Sequence, residues 1–140
     1  MRAMWGVFLT AVAVLLLPAA ATACSIAAPD PPPTPRQEVD GAKRAVYGKV
    51  VARKLVGGEA DSNTATYAYR FRVIETYKGS VRRRMRLVSG VESSMCEAGL
   101  LEIGDRFGLL LYKRGGPWRI DITSFISRKR LRASGYPARG

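Results

Sequence analysis

The stretch TATYAYRFRVIETY (64–77) constrains the fold more than any other. Tyr67, Tyr69, Phe71 and Val73 fall on one parity, and Ala68, Arg70, Arg72 and Ile74 on the other. A period of two, built from aromatic and β-branched residues, predicts a strand with one buried face. KGS (78–80) supplies a turn, and VRRRMRLVS (81–89) returns. In the returning segment Val81, Arg83, Met85 and Leu87 share one parity, while Arg82, Arg84 and Arg86 share the other. Pairing the two strands collects Arg70, Arg72, Arg82, Arg84 and Arg86 on a single outer face.

The rest of the chain reads as more of the same kind. AVYGKVVARKLV (45–56) is dense in β-branched residues and predicts a strand, with Gly48 at a bulge or bend. RFGLLLYK (106–113), RGGP (114–117) and WRIDI (118–122) predict a hairpin whose Trp118, Ile120 and Ile122 point inward. GGEADSN (57–63) is a loop, and residues 90–105 show no strong period, with room for a turn of helix. RQEVDGAKRA (36–45) predicts a short helix. APDPPPTP (28–35), with five prolines in eight residues, predicts an extended, stiff spacer. Five strands with short helices predict an all-β fold, a five-stranded OB-type Greek-key barrel. A β-sandwich would want about seven strands.

The first residues set the compartment. Arg2 precedes a twelve-residue apolar run, GVFLTAVAVLLL (6–17), then Pro18 and a small-x-small sequence, ATA (21–23). That is the pattern of a signal peptide cleaved before Cys24. The competing reading, an uncleaved membrane anchor, fits poorly with Pro18 and with a run shorter than the ~20 residues a spanning helix needs. The expected organisation is therefore a signal peptide at 1–23, a proline-rich segment at 24–36, the barrel at 37–126 and a basic tail at 127–140. The exported chain has 117 residues, enough for one domain, and keeps 22 of the 23 Lys and Arg and all 11 acids, a formal charge of +11. It is expected in the periplasm, at the cell envelope or secreted.

Composition also removes chemistry. The chain has no histidine and only two cysteines, Cys24 and Cys96. The usual general base at neutral pH, the Ser-His-Asp arrangement and the common zinc sites are all excluded. Glu92, Glu97, Glu102 and Asp105 cluster in one loop, but acids in loops of a basic protein are usually solvated or paired with arginine. The expectation is a non-enzyme with no catalytic residues, no metal and no cofactor. Three roles stay open for Cys24: disulfide partner, lipid attachment point, or new N-terminus.

Several segments together resemble the netrin-like, or TIMP-like, domain family found in tissue inhibitors of metalloproteinases and in exported bacterial proteins. They are CSI at the expected mature N-terminus, VYGKVV, YRFRVIETYKGSV, and SSMCEAGLLEIGDRFGLLLY, covering most of residues 24–126. The resemblance implies an OB-type barrel. The family opens Cys-x-Cys, whereas here Ile26 and Ile126 stand at the two positions of its second bridge, so the resemblance implies one remaining disulfide, Cys24–Cys96. Closing a loop of roughly 72 residues stabilises a fold by about 4–5 kcal/mol in the loop-entropy picture. The alternative is a lipoprotein acylated at Cys24, which would leave Cys96 without a partner. The resemblance also implies a second alternative, a metalloproteinase inhibitor, in which the Cys24 amine and carbonyl chelate the protease zinc and Ser25 enters its specificity pocket.

The arginine face is expected to meet an extracytoplasmic protein, an anionic polymer or a membrane surface, or to be a solvated face that keeps the chain soluble. Nucleic acid is disfavoured, because single-strand binders interleave aromatics with their basic residues and here the aromatics take the opposite parity. RKRLR (128–132) reads as a disordered, solubilising tail.

Overall fold

The computed structural model describes residues 28–92, 96–113 and 116–140. The elements run α1 (Pro35–Gly41), β1 (Arg44–Gly57), β2 (Thr66–Lys78), β3 (Arg84–Gly90), β4 (Arg106–Leu111), β5 (Trp118–Arg119), a 3-10 turn (Ile122–Ser124), β6 (Phe125–Ile126) and α2 (Arg128–Ala133). The strands form one curled sheet, a half-barrel in the order β5-β3-β2-β1-β4-β6.

Helix α1 begins one residue inside the expected proline spacer. Thr34 accepts from the Gln37 N–H, and the Gln37 side chain accepts from the Thr34 N–H, so two orphan donors are satisfied reciprocally. Pro35 takes the first helical position, where its missing N–H loses nothing.

The long strand β1 is the spine of the sheet, antiparallel to both β2 and β4. Its register against β2 shifts at Tyr47/Gly48 and again between Val50 and Ala52. Gly48 is required there by proximity: a Cβ would lie 2.3 Å from the Arg72 carbonyl oxygen and 2.6 Å from the Phe71 ring.

The parity read for β2 and β3 is the parity observed. Tyr67, Tyr69, Phe71, Met85 and Leu87 are buried, together with Val46, Val50, Leu109 and Ile120, inside the curl. Phe107 stacks on Phe71 with ring centroids 5.1 Å apart. The returning strand starts later than expected, at Arg84, and Arg83, placed inward by parity, is exposed.

Three expectations are corrected. The last two strands do not form a hairpin: β5 lies parallel beside β3, Leu87 opposite Trp118, and β4 is not its neighbour. Ile120 continues that pairing by donating to the Val88 carbonyl at 3.0 Å. The strand count is six, not five, because β6 adds to β4 through Phe125 and Ile126. Ile122 is exposed, since Asp121 caps a 3-10 turn there and rotates the side chain off the strand face.

The C-terminal segment is also corrected. Residues 128–133 are helix α2, capped by Ser127, with Leu131 fully buried. A second core, outside the curl, gathers Leu131, Val39, Ala42, Ala45, Tyr77, Leu110 and Ile126 under the two helices. Gly108 allows this packing, because a Cβ there would meet the Ile126 carbonyl oxygen at 2.5 Å and the Leu131 side chain at 2.6 Å.

Candidate anion-binding face

The β2–β3 register sets Arg70 directly opposite Arg86 and Arg72 directly opposite Arg84. All four are exposed, back to back with the buried Tyr69, Phe71, Met85 and Leu87. Like charges facing each other across a ladder destabilise a sheet by roughly 0.2–1 kcal/mol per pair. Two such pairs stand side by side here.

Strand β1 widens the face. Lys49 lies opposite Arg72, Ala52 opposite Arg70 and Lys54 opposite Ala68. Residues directly opposite point to the same side of a sheet, so these lysines join the arginines. Strict alternation would put Lys49 and Lys54, five residues apart, on opposite faces. The irregularity between Val50 and Ala52 absorbs one residue and returns both to the same face. Sequence reading missed them for that reason, and no local signal beyond a generic β-branched run marks the irregular point.

No ion pair among the described residues answers these cations. Among the described residues, the ion pairs engage Arg36, Arg53, Arg119, Arg128, Arg130 and Arg132. None engages Arg70, Arg72, Arg82, Arg83, Arg84 or Arg86. Three depressions meet at Arg84. One of about 460 Å³ has Ala52 and Ala68 among Lys54, Arg70 and Arg86. A second, of about 390 Å³, runs beside Arg72 and Arg83. A third, of about 760 Å³, lies along the open side of β3 between Arg82, Arg86 and Trp118. In the third, the Arg44 guanidinium sits 5.0 Å from the centre of the Trp118 ring, so that ring face is already covered. Arg82 precedes β3, exposed, at the end of the face.

Three carboxylates of the 90–105 loop, Glu97, Glu102 and Asp105, are held by contacts within the fold. Glu97 accepts from the Gly90 N–H at 3.1 Å and from the Ser89 hydroxyl at 3.3 Å, and is paired with Arg119. Glu102 pairs with Arg53 at 3.2 Å, and Asp105 accepts from the Glu102 N–H at 2.8 Å. Among the described residues no group of three or more His, Cys, Asp or Glu is placed to hold a metal.

A second charged cluster, unread in the sequence, fixes α2 to the curled sheet. Glu75, on β2, accepts from Arg128 and Arg132 and, at 2.7 Å, from the Tyr77 hydroxyl. The Arg128 hydrogen bonds outweigh the desolvation of the site and pull the Glu75 carboxyl down to about 2. Arg128 also lies 4.7 Å from the centre of the Tyr47 ring. Arg130 reaches Glu38 at 2.7 Å and the Pro33 carbonyl at 2.8 Å, and the Tyr136 hydroxyl donates to Asp40 at 2.6 Å. These arginines are occupied within the fold and do not extend the unpaired arginine face of β2 and β3.

Cys96 takes a left-handed backbone conformation, φ +60°, and its carbonyl accepts from the Ile122 N–H at 3.1 Å. No cysteine among the described residues is a free thiol. The expected leader, Cys24 and Ser25 lie outside the described residues, as do the two chemistries assigned to that N-terminus. Set against known families and characterised proteins, the chain matches no family model and no characterised protein.

Proposed function

We propose that this chain is an exported, non-catalytic binding module that recognises an anionic polymer through the outer face of β1, β2 and β3. The observation that carries this reading is the pair of opposed arginine couples, Arg70–Arg86 and Arg72–Arg84, none of which takes part in an ion pair among the described residues. A fold that needed only solubility would interleave the two signs. Among the described residues every ion-paired acid is spent elsewhere, while the arginines repel one another until an anion arrives. The OB-type Greek-key barrel remains part of the reading. Its support is β1 shared between β2 and β4, with β5 returning beside β3 and the sheet ending at β6 beyond β4. In the same reading Cys24 and Cys96 form the one disulfide and tie the mature N-terminus to the loop after β3.

Binding to immobilised polyanion tests the proposal. The protein should be retained at low salt and released steeply as salt rises. Joint replacement of Arg82, Arg84 and Arg86 by threonine should abolish retention without unfolding the chain. Retention that is unchanged by those substitutions, or insensitive to salt, would move the working surface elsewhere.

A further inference from the structure

We infer that the occupant of this face is a linear phosphodiester polymer laid along the β2–β3 seam, an inference that rests on the polyanion-binding reading above. The cations stand in cross-strand rows. One row is Ala52, Arg70 and Arg86; the next is Lys49, Arg72 and Arg84; Lys54 and Ala68 begin the row on the other side. Within a row neighbouring strands are about 4.7–4.9 Å apart, and successive same-face rows are about 6.5–7 Å apart.

That grid selects among polyanions. Two arginines directly opposite on adjacent strands stand close enough for both guanidinium forks to reach one tetrahedral oxyanion from two sides. The next such point lies two residues along the seam. A phosphodiester chain, in which a sugar or polyol separates successive phosphates, places its charges at comparable intervals. Inorganic polyphosphate carries them on adjacent phosphorus atoms and would crowd several charges against each row. The four seam positions are all arginine and not lysine, which favours forked over point-charge contact. Ala52 and Ala68 leave the flank of the seam low, so the spacer between phosphates has somewhere to lie. Nothing on the face reads bases, because Tyr67, Tyr69 and Phe71 are turned into the core. The polymer is therefore recognised by its backbone.

The test uses the full mature protein and a fluorescent abasic deoxyribose-phosphate oligomer of about twelve units, within the site sizes of single-strand binders. Comparison ligands are an oligonucleotide of the same length, polyphosphate and heparin at matched charge, and phosphatidylglycerol vesicles. The abasic oligomer should bind, with a log–log salt slope of about −2 if roughly three phosphates are neutralised. The base-bearing oligomer should match it within about threefold, since stacking is not used. R70T/R86T and R72T/R84T should each weaken binding about tenfold or more, and replacing all four arginines by lysine should weaken it severalfold by removing the forks. Melting temperatures of the variants, unchanged or raised, show that they fold. Preference for polyphosphate or heparin over the abasic oligomer overturns the inference and leaves the polyanion reading standing. A base-bearing oligomer bound more than tenfold tighter, or binding to vesicles alone, also overturns it. Binding to none of these ligands overturns both readings.

Discussion

Phe71 and Arg72 are adjacent in the chain and opposite in environment, one fully buried and the other exposed. Phe71→Ala should cost about 3–5 kcal/mol, measured by denaturant unfolding, because it empties the centre of the curl where Phe107 stacks. Arg84→Ala should change stability by no more than roughly 0.5 kcal/mol, with the sign toward stabilisation at low salt. A like-charge neighbour across the ladder is removed, and that relief should fade as salt screens the pair. Gly48→Ala should cost about 1–3 kcal/mol despite adding only a methyl, because the Arg72 carbonyl cannot move without breaking the ladder. At this scale the sequence was nearly transparent. Alternation fixed which of Tyr69, Arg70, Phe71 and Arg72 face inward, since a one-residue error in parity would have buried charge. What alternation could not convey was the irregularity after Val50, which changes the face of Lys54 without leaving a mark in composition.

Among the elements, the sequence concealed α2 as well as the short β6. RKRLR has four cations in five residues and reads as solvent-loving, yet its single leucine carries the second core and its arginines meet Glu75 and Glu38 across 53 and 92 residues of chain. Such partners are invisible to local pattern. Leu131→Ala should cost about 2–5 kcal/mol and loosen α1 together with α2, read as lost protection of both helices in hydrogen exchange. The clasp on Glu75 also gives the protein an acid limit. Its carboxyl falls from an ordinary 4.5 to about 2 in the folded chain, so its stabilisation is complete above pH 4.5 and disappears as pH falls toward 2. The melting-temperature difference between the natural chain and Glu75→Gln should therefore be constant at neutral pH and shrink through that window. A difference independent of pH would mean that the Arg128 contact contributes nothing to folding. The missed β4–β5 hairpin has a similar origin: RGGP reads as a tight turn, but Trp118 pairs with Leu87 and Ile120 donates to the Val88 carbonyl, partners about thirty residues back that local pattern does not show.

For the whole molecule, export and cross-linking belong to one expected mass. The mature protein should weigh residues 24–140 less two hydrogens, and reduction should lower its melting temperature, since a loop of roughly 72 residues is worth about 4–5 kcal/mol when closed. A lipid-sized addition at Cys24 would replace the disulfide with an anchor. The sheet's borders set a further property of the molecule. Each end of the strand order is a strand of only two residues, β5 and β6, and β5 covers β3 only at Leu87 and Val88. Among the described residues no strand pairs with the outer edge of β3 from Arg84 to Arg86, and its defence against a second chain is charge, since an added strand would have to approach Arg84 and Arg86. Whatever neutralises those arginines lifts the guard. Polymer added at charge balance should bring copies edge to edge and scatter light, whereas excess polymer or salt-free protein alone should remain clear. Threonine variants at these positions, being good strand formers, will share that tendency to self-associate.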